Sequence, residues 1–248
     1  MTTPPEPPNR RFPSTAPPDP RSFSLQAKTT LGSDGGAAAA AVYVKICGVT
    51  RVEDALLAAQ LGADAVGLNF WGRSKRYIAP EAAREIVAAL PAHVAAFGVF
   101  VDPTRDEVER AVAASGIGVV QLHGDEPPDL VAALPVPVVK AIRVADRSAL
   151  DALRRFTPHA FLLDAPSAGY GGSGERFDWA IAAEAAAAAR VFLAGGLTPD
   201  NVADAVRTVR PFGVDVASGV ERAPGVKDEA KLSAFIRAAK AAAEEQTT

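Results

Sequence analysis

Two side chains of this sequence have the chemistry of a base and an acid, and they occupy similar places. Cys47, the single cysteine of the chain, ends an apolar run and precedes a glycine, and Asp164 ends another run before a glycine-rich stretch. A thiol has a pKa near ~8.5, so an electropositive environment makes it a usable base or nucleophile. A carboxyl group shielded from water can act as a general acid. Each residue also has a structural interpretation, Cys47 as a small buried apolar residue and Asp164 as a loop cap.

Two turns have the composition of a phosphate site. Gly195 and Gly196 follow one apolar run, and Ser218 and Gly219 follow the next. Backbone N–H groups exposed at such turns and at helix N-termini bind phosphate, although glycine also serves any tight turn. The sequence therefore predicts a phosphate site here, with ordinary turns as the alternative.

Other polar side chains could bind an anion or stabilise the fold. Arg73, Lys75 and Arg76 share one stretch, for which a solvated basic loop is the ordinary interpretation. Arginine's planar fork would suit a carboxylate if one of them binds substrate. Gln121 and His123 share one face of a predicted strand, and we interpret His123 as a structural, hydrogen-bonded histidine.

The elements that position these residues begin at residue 42, where short β-branched runs start to alternate with alanine-rich helical stretches. That alternation is typical of a parallel sheet built from βα units. Eight such runs predict an α/β fold with a single (βα)8 TIM barrel. An open doubly wound sheet usually has fewer strands and often a GxGxxG turn, which this chain lacks after its first strand. The predicted strands begin near Val42, Ala65, Val94, Ile117, Val136, Ala160, Val191 and Gly213.

Helix boundaries have their usual sequence signals. Two capping-box pairs and one Thr–Pro pair predict helix starts, and glycines predict helix ends. The residues concerned are Thr50 with Glu53, Thr104 with Glu107, Thr198 with Pro199, Gly62 and Gly116. The last helix is predicted over about 228–244.

In a barrel, reactive groups lie at the C-terminal ends of the strands. The two-residue period of a strand puts Lys45 and Cys47 on the same inner face. A lysine inside a barrel needs a partner, and Asp215 on the adjacent eighth strand is the candidate. Lys45 would then supply the positive field that activates the Cys47 thiol.

The segment after Asp164 is long enough to have a function of its own. Residues 165–177 are rich in glycine, Gly172 among them, and could fold over a ligand as a lid. Such a lid would shield Asp164 from water. Lys140 and Arg143, around the fifth strand, fit several roles and stay unassigned.

Composition excludes several classes of protein. The 248 residues are 22% charged and 48% hydrophobic, with a net charge of -3 and one cysteine. That charge provides no field for nucleic acid or an anionic membrane. The single cysteine cannot form an intrachain disulfide, and the histidines have no zinc-ligand spacing. Without an apolar stretch of membrane length, we expect a soluble, cytoplasmic protein.

The N-terminal segment differs from the rest of the chain. Eight prolines fall within residues 1–20, and apolar periodicity is absent up to residue 36. Such a segment buries too little apolar surface to offset its ordering entropy. We therefore predict a disordered tail over 1–40 and one barrel domain over 41–248. The tail has the composition of neither a secretory signal nor a transit peptide.

Six ordered blocks of the sequence resemble the phosphoribosylanthranilate isomerase family of tryptophan biosynthesis, from residue 42 to about 240. They are VKICGVT (44–50), GADAVG (62–67) with SKRY (74–77), VQLHG (120–124), GGSG (171–174) with FDW (177–179), GGL (195–197) with NV (201–202), and VDVASGVE (214–221) with KD (227–228). Six blocks in the same order make a chance match implausible.

The resemblance implies an Amadori rearrangement of N-(5-phosphoribosyl)anthranilate, a small-molecule substrate, without metal or organic cofactor. It implies Cys47 as general base, Asp164 as general acid, Arg76 as binder of the anthranilate carboxylate, and Gly195, Gly196, Ser218 and Gly219 as phosphate binders. Gly172 is the further substrate-binding residue in this set. The protein is expected as a monomer or homodimer.

Two departures and two alternatives accompany the resemblance. Ala217 stands where the family commonly has serine, and the tail has no counterpart. The aldose–ketose isomerase of histidine biosynthesis is similar but has an aspartate at the position of Cys47. A non-catalytic phosphosugar-binding barrel is the other alternative, and the presence of both Cys47 and Asp164 disfavours it.

Overall fold

The chain forms a closed barrel of eight parallel strands, as predicted. The computed structural model describes residues 42–165 and 178–247. Strands pair in chain order, and β1 pairs with β8 to close the ring. They are β1 (Tyr43–Cys47), β2 (Ala65–Asn69), β3 (Ala95–Phe100), β4 (Val119–Leu122), β5 (Val138–Arg143), β6 (Ala160–Asp164), β7 (Val191–Leu193) and β8 (Gly213–Val216). The predicted tail and residues 166–177 of the predicted lid lie outside the described residues, and the domain division stays a prediction.

A helix follows each strand, which confirms the βα alternation read from the sequence. The helices are α1 (Val52–Gln60), α2 (Pro80–Ala89), α3 (Arg105–Ser115), α4 (Pro128–Ala133), α5 (Ala149–Leu153), α6 (Trp179–Ala188), α7 (Val202–Val209) and α8 (Glu229–Glu244). The last of them matches the predicted final helix, and the Asp228 side chain caps it by accepting from the Lys231 N–H. None of the helices in 42–165 and 178–247 has the length and apolarity that crossing a bilayer requires.

Strand alternation creates two apolar layers. In β4, Val120 and Leu122 face the helices, whereas Val119 faces the barrel interior. The interior is filled by buried side chains that include Phe97, Leu162 and Phe192. Each contributes about 1.5–3 kcal/mol by burial. The residues two positions after these three line the cavity at the C-terminal end of the barrel: Val99, Asp164 and Ala194.

A short antiparallel hairpin lies between β8 and α8, and the sequence did not predict it. Its strands are β9 (Glu221–Ala223) and β10 (Val226–Lys227), preceded by a 3-10 turn over Ser218–Val220. The hairpin packs back onto the barrel because the Thr50 hydroxyl donates to the Gly225 carbonyl oxygen at 2.7 Å. It carries two charged residues, Glu221 and Lys227, to the barrel mouth.

That contact makes one predicted helix cap wrong. Thr50 does not cap α1, which begins at Val52 with Arg51 as N-cap and no side-chain cap bond. By contrast, Thr104 and Glu107 form the predicted capping box at the start of α3. The glycine signals also hold, since Gly62 and Gly116 follow α1 and α3 with positive φ.

The predicted cap at Thr198 is also wrong, because α7 begins later, at Val202. The Asn201 side chain accepts from the Thr198 N–H and donates to the Gly196 carbonyl oxygen, both at 2.9 Å. These bonds stabilise a turn over residues 196–201, so the helix begins after it. They also hold the backbone after β7 in place at the cavity rim.

Candidate active site

One cavity at the C-terminal mouth of the barrel collects most of the residues singled out by sequence. Strand ends and the loops after β2, β7 and β8 line it. The predicted site residues among its lining are Cys47, Arg76, Asp164, Gly195, Gly196, Ser218 and Gly219. Gly172 lies outside the described residues. Arg73 and Lys75 are exposed and do not line the cavity, so a solvated loop describes those two.

Cys47 lies beside a buried ion pair. Lys45 is fully buried, and its Nζ donates to Asp215 Oδ1 at 2.7 Å, as the sequence predicted. A Cβ placed on Gly67 would lie 2.8 Å from Cys47 Sγ and 3.0 Å from Lys45 Nζ. Because glycine has no side chain, the thiol and the ammonium group can approach each other in that space.

The electrostatics of the thiol differ from the sequence-based expectation in one respect. Burial raises the pKa of Cys47, while the positive charges of Lys45 and Lys227 act in the opposite direction. Lys45 therefore supplies the predicted field, but burial outweighs it, and the pKa of the thiol lies above its ordinary value.

Replacing Lys45 is expected to slow alkylation of Cys47. Without the ammonium, the thiol pKa rises further and the thiolate fraction at a given pH falls. Because the chain has a single cysteine, the rate of iodoacetamide incorporation reports this thiol alone. At pH 8 we expect Lys45→Met to react about tenfold more slowly than wild type, one pKa unit being tenfold in thiolate.

Two companion variants control the alkylation experiment. Lys45→Met leaves the Asp215 carboxylate buried without its cation, so the double variant with Asp215→Asn separates lost field from an uncompensated charge. The exposed Lys75→Met is expected to match wild type. Equal rates in wild type and both Lys45 variants would show that Lys45 does not tune the thiol.

Asp164 is held by two hydrogen bonds at the end of β6. Its Oδ1 accepts from the Ala165 N–H at 2.9 Å, and its Oδ2 lies 3.1 Å from His123 Nε2. Gln121 Nε2 lies 3.0 Å from His123 Nδ1. If the amide donates to Nδ1, the neutral imidazole carries its proton on Nε2 and donates to Asp164. The predicted hydrogen bonding of His123 is thus found, and its partner is the candidate acid.

The glycine turns after β7 and β8 meet at the cavity rim, next to the end of β6. Gly195 and Gly196 have φ of 78° and 65°, in the left-handed region that favours glycine. A Cβ on Gly195 would lie 3.0 Å from Asp164 Oδ1, so this turn approaches the candidate acid closely. Within the described residues, no hydrogen bond engages the N–H of Gly196 or Gly219. These N–H groups are available to an anion.

Arg76 enters the cavity from the loop after β2. Its guanidinium makes three short contacts with the Glu221 carboxylate: Nε to Oε1 at 2.9 Å, Nε to Oε2 at 3.1 Å, and Nη2 to Oε2 at 2.7 Å. The Arg76 backbone N–H donates to Ser74 Oγ at 3.1 Å. The aliphatic stem packs on Gly48, where any Cβ would collide with it.

Residues 44–238 match the family model described as N-(5'-phosphoribosyl)anthranilate (PRA) isomerase. The chain belongs to this family. An N-(5'-phosphoribosyl)anthranilate isomerase from Pelobacter propionicus is 49% identical over 208 residues, covering 83% of this chain and 99% of that protein.

Solved structures of the PRA isomerase family superpose on the same barrel. The enzyme from Thermotoga maritima has a TM-score of 0.76 at 43% identity, over 81% of this chain and 99% of that one. A structure of a family member in complex with reduced 1-(o-carboxyphenylamino)-1-deoxyribulose 5-phosphate has a TM-score of 0.73 at 40% identity, with the same coverage.

Two charged residues at this PRA isomerase site were given no role by sequence reasoning. Lys227 is fully buried, and its Nζ donates to the Cys47 carbonyl oxygen at 2.5 Å, to Glu221 Oε1 at 2.9 Å and to the Ala217 carbonyl oxygen at 3.3 Å. Both residues stand in the blocks that resemble the family. The one sequence signal for them was a Glu and a Lys on either side of the turn residues Pro224 and Gly225.

Charge pairing sets the protonation of these two groups. Burial alone raises the pKa of Glu221, but the hydrogen bond from Arg76 and the charge of Lys227 more than compensate, so the pKa is lowered. Burial lowers the pKa of Lys227 and the Glu221 carboxylate opposes that shift. Glu221 is therefore an anion held between two cationic side chains.

Lys140 and Arg143, unassigned by sequence, support the loop after β4. Lys140 Nζ donates to the Gly124 carbonyl oxygen at 2.8 Å and to Glu126 Oε2 at 2.9 Å. Glu126 Oε1 accepts from the Gly124 N–H at 2.9 Å. Arg143 is exposed and lies 3.4 Å from Asp125. Lys140 thus stabilises the backbone next to His123.

Among the described residues, no cluster of three or more His, Cys, Asp or Glu is arranged to hold a metal.

Proposed function

We propose that Asp164 and Cys47 act as general acid and general base in the Amadori rearrangement of N-(5-phosphoribosyl)anthranilate to 1-(2-carboxyphenylamino)-1-deoxyribulose 5-phosphate. The protein is a phosphoribosylanthranilate isomerase of tryptophan biosynthesis, as its family membership shows. The observation that carries the assignment of roles is that a thiol and a hydrogen-bonded carboxyl share one cavity with two glycine turns, in which the N–H groups of Gly196 and Gly219 make no hydrogen bond within the described residues. An acid and a base on separate strands can reach different atoms of one sugar.

The reaction divides into two proton transfers. Asp164, in its protonated form, gives a proton to the furanose ring oxygen as the bond from that oxygen to C1 breaks, and the nitrogen lone pair forms an iminium. Cys47, as thiolate, then removes the C2 proton, and the C2–H electrons form the C1–C2 double bond of an enolamine. Tautomerisation gives the ketone. C1 is reduced and C2 oxidised within one molecule, so the step needs no external oxidant or reductant.

Recognition of the two anionic ends of the substrate falls to separate parts of the site. We assign the anthranilate carboxylate to Arg76, whose fork matches carboxylate geometry. The phosphate is assigned to backbone N–H groups around Gly195, Gly196, Ser218 and Gly219. The bound carboxyphenylamino phosphosugar in a related structure supports a ligand with both groups.

Cellular and assembly properties stay proposals. We propose a cytoplasmic enzyme that acts as a monomer or homodimer on a small-molecule substrate, without metal or organic cofactor and without nucleic-acid or membrane partners. The barrel mouth supplies the proton-transfer groups from its own side chains.

The activity is tested with purified protein and phosphoribosylanthranilate generated in situ. Conversion removes the fluorescence of the anthranilate group, so the wild type is expected to accelerate the loss of signal in proportion to enzyme concentration. Absence of turnover would refute the proposal, provided that a cooperative thermal denaturation shows the protein to be folded. Turnover of the corresponding histidine-pathway phosphoribosyl amine instead would move the chain to the related isomerase.

Arg76→Ala is expected to raise KM by about tenfold or more, since a charge-assisted hydrogen bond to the substrate carboxylate is lost. The effect on kcat is expected to be smaller, because Arg76 contacts no reacting atom. Lys75→Ala removes an exposed cation of the same loop and serves as the control. If KM for Arg76→Ala equals that of Lys75→Ala, Arg76 belongs to the solvated loop and not to the binding site.

A further inference from the structure

We propose that Glu221 is a positioning residue that sets the selectivity of the site for a substrate carrying an aryl carboxylate. Glu221 would do so by fixing the Arg76 guanidinium in the orientation that presents its free edge to the cavity. The inference rests on the proposed role of Arg76 and extends it to a residue that contacts no substrate.

The pattern of contacts around the guanidinium is the first support. Glu221 occupies the side edge of the fork, formed by Nε and Nη2, with three distances of 2.7–3.1 Å. A guanidinium has a second edge, formed by Nη1 and the outer hydrogen of Nη2, which can also bind a carboxylate with two parallel bonds. Within the described residues, no hydrogen bond engages Nη1 of Arg76. Arg76 lines the cavity, and this second edge of its guanidinium is left open by Glu221.

Glu221 is itself held rigidly, which is what a positioning residue requires. Its Oε1 accepts from Lys227 Nζ at 2.9 Å and from the Gly225 N–H at 3.2 Å, and its carbonyl oxygen accepts from Lys231 Nζ at 2.9 Å. The Glu221 side chain is 5% exposed. Arginine side chains lose much rotamer freedom on binding, so prior fixation lowers the cost of ordering Arg76 when substrate arrives.

Charge balance gives the second support. The cluster of Arg76, Glu221 and Lys227 has two cations and one anion, and therefore one positive charge in excess at the cavity wall. A substrate carboxylate neutralises that excess, whereas a substrate without one leaves it unpaired in a poorly solvated site. Lys227 also donates to the Cys47 carbonyl oxygen, so this charged cluster is hydrogen-bonded to β1, the strand that carries the proposed base.

The test compares two substrates in steady-state kinetics. N-(5-phosphoribosyl)anthranilate carries the carboxylate, and N-(5-phosphoribosyl)aniline is the same molecule without it; product from both is quantified by chromatography. For Glu221→Gln we expect KM for the anthranilate substrate to rise about tenfold or more. We expect KM for the aniline substrate and both kcat values to stay within about threefold of wild type.

The sign of the change separates positioning from charge. Glu221→Gln removes a negative charge beside Arg76, which by charge alone would strengthen carboxylate binding and lower KM. A rise in KM confined to the anthranilate substrate therefore supports positioning. Glu221→Asp keeps the charge but shortens the side chain by one methylene, and it is expected to raise the same KM, which guards against a folding defect in the glutamine variant.

The matched control is Glu184→Gln, which breaks an exposed Arg–Glu pair with Arg147 at 2.6–2.8 Å and is expected to change neither substrate's kinetics. Equal losses on both substrates in the Glu221 variants would overturn the inference and show that Glu221 only stabilises the hairpin. A wild type that does not discriminate between the substrates would overturn the Arg76 assignment and this inference with it. Discrimination by the wild type that persists in Glu221→Gln would overturn the inference alone.

Discussion

Cys47→Ala is expected to lower kcat by about 10²-fold or more while the barrel remains folded. Removal of a positioned general base typically costs a factor of ~10²–10⁴. Alanine suits the site because it removes only the sulfur from a residue that ends β1. The measurement is the fluorescence assay on wild type and variant, with thermal denaturation to confirm folding. A rate within about threefold of wild type would remove Cys47 from the reaction.

Two further measurements identify the thiolate as the active form. Cys47→Ser keeps the shape of the side chain, but a hydroxyl group does not ionise in the working pH range as a thiol does. We therefore expect a loss of kcat as large as that of the alanine variant. In the wild type, the limb of the kcat/KM profile that rises with pH is expected to report Cys47, because the base must be deprotonated whereas the acid must be protonated. Since burial raises the pKa of Cys47, the ascending limb should lie above the ordinary thiol value of ~8.5. A limb centred below pH 7 would mean that the neighbouring lysines outweigh burial in solution.

Asp164→Asn is expected to lower kcat by a similar factor, about 10²-fold or more, because the amide cannot give a proton to the ring oxygen. The variant should fold, since an asparagine oxygen can still accept from the Ala165 N–H. Its amide would face His123 Nε2, and the imidazole can move its proton to Nδ1 if the Gln121 amide rotates. Gln121 Oε1 is buried without a partner in the part of the chain that the structure describes. After rotation of the amide, this oxygen can accept a hydrogen bond from the Nδ1–H of His123.

An isotope experiment separates the acid from the base. With substrate deuterated at C2, proton removal by Cys47 contributes to the wild-type rate, whereas ring opening should limit Asp164→Asn. We therefore expect the deuterium effect on kcat to fall in that variant. Asp125→Asn, an exposed aspartate beside the cavity loop, is the control and should match wild type. An Asp164→Asn enzyme with more than a tenth of wild-type kcat would contradict the role of acid.

Much of the fold was predictable because barrel strands have a strong local signal. The eight apolar runs are separated by helical stretches, and strand starts lie within about two residues of the prediction. The helix caps were less predictable. Thr50 has the capping-box sequence, yet its hydroxyl bonds to Gly225, 175 residues away, and no local pattern contains that contact.

The candidate site was predictable where chemistry follows strand periodicity. Lys45, Cys47 and Asp215 could be placed together because register and inward alternation are properties of the strands themselves. Glu221 and Lys227 could not, since they reach the site through a hairpin that the sequence pattern does not reveal. Nor could the sign of the Cys47 pKa shift, which depends on how deeply the thiol is buried.

Closure of the barrel between β1 and β8 has a consequence for synthesis of the protein. Cys47 is translated early, whereas Asp215 and Lys227, which bind Lys45 and the Cys47 carbonyl oxygen, are separated from the first strand by about 170 residues or more. A nascent chain therefore carries its thiol without the surroundings that tune it until nearly all of the polypeptide has left the ribosome. Catalytic competence therefore arises only when the fold is complete. A truncated or incompletely synthesised chain contains Cys47 but lacks the residues that form the active site around it.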